Sequence, residues 1–281
     1  MATVLIDHVL FVASSPTPCS QLINSFYPHI LAITRAYPIS SAQYFNQKLA
    51  LMHKNLTRGF SVGTQGKNWP GLAELFLLRM IGLIWPTSDL NHAVVSPTRV
   101  LLGAYLGLGR VRSLSDIGSG LFLCTLFLQF EALSKRFVPE AINFLVNSVL
   151  HLAPHKYQDI STLPGSFPSP DFRSDLCRSL SLSRNVQNGL VAQKLDLFSL
   201  LAANNSNEQS KVDLLGIAFN LLGGFADMYK ALDGFIELYE PISAILENIQ
   251  SKYLPDGLTV SIKFSLMTIS SPYTTLLGTA I

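Results

Sequence analysis

The chain has 281 residues, of which 48% are apolar and only 14% charged, with a formal net charge of +2. So little charge requires that much of the surface be buried or partnered, and the length allows one elongated domain or two compact ones. A membrane span is not expected: the densest apolar run, GLFLCTLFLQF from Gly120 to Phe130, is closed by Glu131 and the pair Lys135 and Arg136, well short of the roughly 20 residues a span needs.

In chain order, the N-terminus MATVLIDHVLFVASSP lacks a basic leader, and Asp7 and His8 split its apolar stretch, so it does not read as a secretory signal. Cys19, Cys124 and Cys177 are odd in number, widely spaced and without a CxxC, which points to a reducing compartment without disulfides or a zinc knuckle. Helical periodicity then predicts helices near 20–34, 39–57, 70–84, 97–108, 114–132, 138–152, 211–231, 233–249 and 256–268. Pro70, Pro97, Pro139, Pro241 and Pro255 sit where first helical turns would begin, positions at which a missing N–H costs nothing. Ser96 is the expected N-cap before Pro97, and Ser113 with Asp116 makes a capping-box pattern. No run alternates with the period of a strand, apart from the ambiguous LTVSIKFSLM near the end.

The fold class expected is therefore all-α, with stacked antiparallel helix pairs resembling a degenerate HEAT or armadillo-like helical repeat. Residues 1–153 would form the first part of the core and 211–263 the second. A Pro-, Ser- and Asn-rich linker with short helices would occupy 154–210; it includes four prolines within 154–171 and the stretch ANNSNEQS at 203–210. Residues 264–281, apolar and rich in Ser and Thr, would be an irregular end.

The polar cluster WPTSDLNH from Trp85 to His92 interrupts an apolar run with nucleophile, acid and base types. A nucleophile elbow needs flanking glycines and a strand-to-helix turn, and neither is present, so a turn between helices is the better reading. Two glycine stretches are near misses. GFSVGTQGKN carries Ser61 and Asn68 where a P-loop needs Gly and Ser or Thr, and GLGRVR at 107–112 follows a helix rather than a strand. His151 and His155 are separated by the helix-breaking Pro154, so no metal set is completed. Asp171 with Asp175, or Asp227 with Asp233, reads as solvated charge. No catalytic residue, cofactor, metal or small-molecule ligand is expected.

Charge is unevenly distributed. Between 93 and 139 five bases face two acids, and between 197 and 250 seven acids face two bases. Arg110, Arg112, Lys135 and Arg136 are the candidate contacts to RNA phosphates, against the plainer reading of solvated helix ends.

The block from IGLIWPTSDLNHAVVSP through GLFLCTLFLQF to SKRFVPEAINFLVNSVLHLAP resembles the nucleolar protein 14 family. The matching residues are Pro86, Thr87, Ser88, Asp89, His92, Val94, Val95 and Pro97, then Gly120 to Phe122, then Ser134 to Leu145, which includes Pro139 and Glu140. Trp85 stands for the usual Phe and Ala93 for a Pro. The resemblance covers roughly residues 20 to 260, as in a plant-like or fungal-like fragment without the family's charged N- and C-terminal arms. It implies a non-catalytic assembly factor of the small-subunit processome, located in the nucleus and nucleolus and associated with the U3 small nucleolar RNA particle. Such a factor acts in processing of small-subunit rRNA precursors. The partners it implies are nucleolar complex protein 4 (a helical-repeat assembly factor), other processome proteins and pre-rRNA, with no membrane. It makes Trp85 a packed residue of an inter-helix corner and Asp89 the cap of its backbone N–H groups.

Overall fold

The computed structural model describes residues 2–15, 20–62, 66–89, 91–153, 177, 179–183, 190–202, 207–250, 258 and 269. Among these residues there are ten helices and no strand: α1 (Ala2–Ala13), α2 (Ser20–Ala36), α3 (Pro38–Ser61), α4 (Leu72–Ile84), α5 (Val95–Leu108), α6 (Leu114–Phe130), α7 (Pro139–Leu152), α8 (Leu197–Leu201), α9 (Glu208–Tyr229) and α10 (Phe235–Gln250). The all-α class is as expected. The prolines of 154–171, Pro255, the helix expected at 256–268 and the segment 264–281 lie, but for isolated positions, outside the described residues.

The chain divides into two compact units. The first comprises Met1–Arg110 with Gln129–Ser134. In it α4 packs chiefly on α1 and α2, and α3 on α5. The apolar positions of α3 show why the helix forms and which face it buries. Phe45, Leu49, Met52 and Leu56 recur at helical spacing and are all buried. α4 is buried almost all round, from Leu75 to Leu78 and again at Met80, Ile81 and Ile84, as befits a central helix. Gly82 has no side chain because a Cβ there would stand 2.2 Å from the Phe130 ring.

One helix in this unit was not expected. α1 buries Ile6, Val9 and Ala13, and Asp7 pairs with Lys48 of α3 at 2.7 Å. The two polar residues that break the apolar stretch are thus an outward stripe of an amphipathic helix.

The second unit comprises Val111–Leu128 with Lys135–Ile281, and its main packing is α7 against α9. By length and composition α9 could cross a membrane, yet 72% of its apolar window is buried inside the fold, so it reads as a core helix. Its first turn anchors irregular chain. Lys211 Nζ, nearly fully buried, donates to the Ser181 carbonyl and to Glu208, both at 2.9 Å. The buried Asp213 carboxylate accepts from the Gln193 N–H at 2.8 Å.

Three local expectations need correction and two hold. Pro70 lies before its helix; Gly71 is the N-cap of α4, and its N–H donates to Glu74 at 2.8 Å. Pro241 lies inside α10 rather than at its start. The loop expected at 203–210 ends by Asn207, whose side chain caps α9 by accepting from the Gln209 N–H. Pro139 does begin α7. The capping box does form: the Asp116 N–H donates to Ser113 Oγ at 3.1 Å and the Ser113 N–H to the Asp116 carboxylate at 3.0 Å. Burial raises the Asp116 carboxyl above its ordinary value, the bonds from Arg112 and Ser113 opposing it only in part.

Candidate functional site

The cluster WPTSDLNH lies in the first unit as the corner between α4 and α5. Trp85 closes α4 in an extended conformation, its N–H still donating to the Ile81 carbonyl at 3.0 Å. Its half-buried ring lies edge-on to Phe45, with centroids 6.1 Å apart, and against His92 at 5.1 Å.

His92, not Asp89, caps the next helix. Its Nδ1 accepts the backbone N–H groups of Val94 at 3.1 Å and Val95 at 3.2 Å. Ser96 Oγ accepts the His92 N–H at 2.9 Å, and the His92 carbonyl accepts the Ser96 N–H at 3.1 Å. This reciprocal arrangement satisfies orphan donors of a helix start. It places Ser96 inside the first turn rather than at the N-cap. An acceptor Nδ1 must be unprotonated, so the ring proton sits on Nε2. Asp89 is exposed, and among the described residues its carboxylate meets a long contact from the Ser88 hydroxyl, 3.4 Å.

What shapes the corner is Arg99, the sole charged residue of α5. Its side chain is 8% exposed and that of Glu131 1%. Arg99 Nε donates to Glu131 Oε1 at 2.5 Å and Nη2 lies 3.5 Å from Oε2. Nη1 donates to the Asp89 carbonyl at 3.1 Å, and Nη2 also donates to the Thr87 carbonyl. Ser134 Oγ donates to Glu131 Oε2. One guanidinium therefore holds a buried carboxylate and two main-chain carbonyls of the turn. The planar fork of donors makes this possible, and a lysine could not reproduce it.

Pairing partners this far apart in sequence leave little trace in it. The available signal was that each residue is an isolated charge in or beside an otherwise apolar helix.

The corner's groups are thus committed to shape. The Ser88 hydroxyl turns to Asp89 rather than to His92, and Nδ1 of His92 faces the start of α5.

The four basic candidates are not gathered on one unit. Arg110 is exposed in the first, where its carbonyl accepts Trp69 Nε1–H at 2.9 Å. Arg112, Lys135 and Arg136 belong to the second. Arg112 is half-buried near Asp116, whereas Lys135 and Arg136 are exposed. Lys135 adopts a left-handed φ of 49°, uncommon for a residue with a side chain. Tyr229 holds the chain that follows: its hydroxyl accepts the Val138 N–H and donates to the Arg136 carbonyl, both at 3.0 Å. Pro139 and Glu140, the first residues of α7, come directly after. Among the described residues no group of His, Cys, Asp and Glu is arranged to hold a metal.

These features define an all-α protein whose marked residues build an inter-helix corner. The chain belongs to the Nop14-like family, whose model matches residues 1–275. It is similar to the probable nucleolar complex protein 14 of Schizosaccharomyces pombe, 27% identical over 96% of this chain and 32% of that protein. It is also similar to nucleolar protein 14 of Homo sapiens, 32% identical over 86% of this chain and 28% of the relative. For nucleolar protein 14 of Mus musculus the figures are 29%, 90% and 29%. The chain spans about a third of the length of these relatives. Their names place the family in the nucleolus, in agreement with the location expected from the sequence.

Proposed function

We propose that this chain is a non-catalytic scaffold of ribosome biogenesis, acting in the nucleolus within the small-subunit processome and needed for 18S rRNA precursor processing. The observation that carries the reading is the family match over nearly the whole chain. The corner is consistent with it, because its polar groups are spent on holding two helices at a fixed bend. The partners of the proposed scaffold are nucleolar complex protein 4, other processome proteins, pre-rRNA and the U3 small nucleolar RNA particle. Arg110, Arg112, Lys135 and Arg136 are proposed phosphate contacts, and exposed apolar positions such as Leu133, 78% exposed, are proposed protein contacts.

The test is depletion and complementation in the organism of origin. A tagged chain should sediment with U3-containing particles, and its depletion should accumulate unprocessed 18S precursor. A tag spread through the cytosol, with precursor levels unchanged on depletion, would refute the proposal and leave a helical adaptor unrelated to ribosomes.

A further inference from the structure

From His8 to Ala73 the sequence contains no aspartate or glutamate, while Arg35, Lys48, Lys54, Arg58 and Lys67 fall inside it. Among the described residues of this run every Asp, Glu, Lys or Arg side chain is a base. The first unit holds eight Lys and Arg against four acids, and the remainder of the chain twelve against fourteen. Three of the four acids have internal partners. Asp7 pairs with Lys48, Glu131 is buried on Arg99, and Glu74 accepts from Gly71 N–H and, at 3.4 Å, from Asn55. Asp89, in the α4–α5 corner, is exposed, and Asp7 is exposed too beside its Lys48.

Of the first unit's eight cations, Lys48, Lys54 and Arg58 lie on α3, and Lys48 is the one paired with Asp7. Lys54 and Arg58 are exposed and four residues apart, so they lie on one side of the helix about 6 Å apart along its axis. Lys67 is brought to the same end by a close backbone crossing. A Cβ on Gly59 would lie 2.2 Å from the Lys67 carbonyl, and one on Gly66 1.9 Å from the Gly59 carbonyl. The crossing is tied by Asn68, nearly fully buried, whose side-chain amide donates to the carbonyls of Gly66 at 3.1 Å and Gly59 at 3.2 Å. Lys67 itself is exposed. The Asn55 and Thr57 side chains lie among these cations on the same exposed stretch.

We infer that the outer surface of α3, with Lys54, Arg58 and Lys67, is a contact face for the RNA phosphate backbone. The inference rests on the RNA-scaffold reading above and relocates its principal electrostatic contact to the first unit. Two cations one helical turn apart and a third brought to the helix end, with Glu74 reached through Asn55 as the neighbouring carboxylate, fit a polyanion whose charges are regularly spaced. An acidic protein segment is the competing partner. It is less well matched, since the exposed apolar residues flanking the face, Leu51 and Val62, are eleven residues apart and form no continuous patch.

The test uses the full 281-residue chain and a fluorescein-labelled RNA hairpin, followed by anisotropy across a salt series. Lys54→Ala/Arg58→Ala/Lys67→Ala is expected to weaken binding by about tenfold or more and to reduce the slope of log K against log salt by about 2 to 3. Arg58→Lys should retain most of the binding, and unchanged tryptophan emission would show that the fold is intact. If the triple variant binds as the parent does while Lys135→Ala/Arg136→Ala carries the loss, this face is wrong and RNA binding stands. If the parent binds no hairpin at low salt, the RNA reading and this inference fall together. If polyglutamate of matched charge displaces the hairpin as well as unlabelled RNA does, the face belongs to an acidic protein instead.

Discussion

Arg99 and Glu131 allow a quantitative test of how the corner is held. Breaking a buried ion pair from one side leaves an uncompensated charge, at a cost of about 3–5 kcal/mol. Arg99→Met would leave the Glu131 carboxylate, whose side chain is 1% exposed, with Ser134 as its remaining side-chain donor, and would strip the Thr87 and Asp89 carbonyls of theirs. Glu131→Leu would leave a guanidinium 8% exposed with two carbonyl acceptors and no counter-charge. The double variant removes both charges. The two carbonyls of the turn and the Ser134 hydroxyl remain to be satisfied, and water reaches Asp89 and Ser134 because both are exposed. The expected cost of the double change is therefore about 1–3 kcal/mol, far below the sum of the singles.

The assay follows from composition. Both tryptophans, Trp69 and Trp85, lie in the first unit, so their fluorescence in urea follows that unit alone. With an m-value of about 1–3 kcal/mol/M, each single variant should lower the midpoint by about 2 M. Singles that each cost less than about 1 kcal/mol and add in the double would refute the argument.

Three further outcomes are expected. His92→Ala removes the acceptor for Val94 and Val95 and should cost about 1 kcal/mol, while His92→Asn restores most of it; the same tryptophan-monitored urea titration checks both. Tyr229→Phe leaves the buried Val138 N–H without its acceptor at a cost of about 1–3 kcal/mol, read as a lowered midpoint in far-ultraviolet circular dichroism. Burial raises the Glu208 carboxyl, but the Lys211 ammonium and the Ser183 N–H and hydroxyl outweigh it and hold it below the ordinary glutamate value. Unfolded Glu208 therefore takes up its proton at higher pH than folded Glu208. The stability it gives is present above the ordinary glutamate range and is lost as pH falls through its folded value. Glu208→Gln should flatten that part of the pH–stability curve of the second unit.

The helices from α2 through α7 were legible because apolar residues recur with the helical period, and Ser113 and Asp116 announced a cap that the structure forms. α1 was not, since Asp7 and His8 looked like interruptions until a partner for Asp7 was in place. Asp89 was the cap that the family resemblance implied, but an imidazole nitrogen can accept the same N–H groups, and geometry gave the role to His92. Arg99 could not be distinguished from a solvated base, because its partner is thirty-two residues away. The acid-free run before Glu74 was countable from the start. Its meaning depended on the fold, which sets Lys48, Lys54 and Arg58 on α3 and finds internal work for most of the nearby acids.

Arg99 grips the corner through main-chain carbonyls, and this separates the bend from the side chains it displays. The carbonyls of Thr87 and Asp89 would be offered to the guanidinium whatever groups were attached at 87, 88 and 89, provided the backbone could follow the same path. The exposed tip formed by Ser88 and Asp89 is therefore free to change its chemistry, and with it what the corner meets, without altering the angle at which α4 hands over to α5.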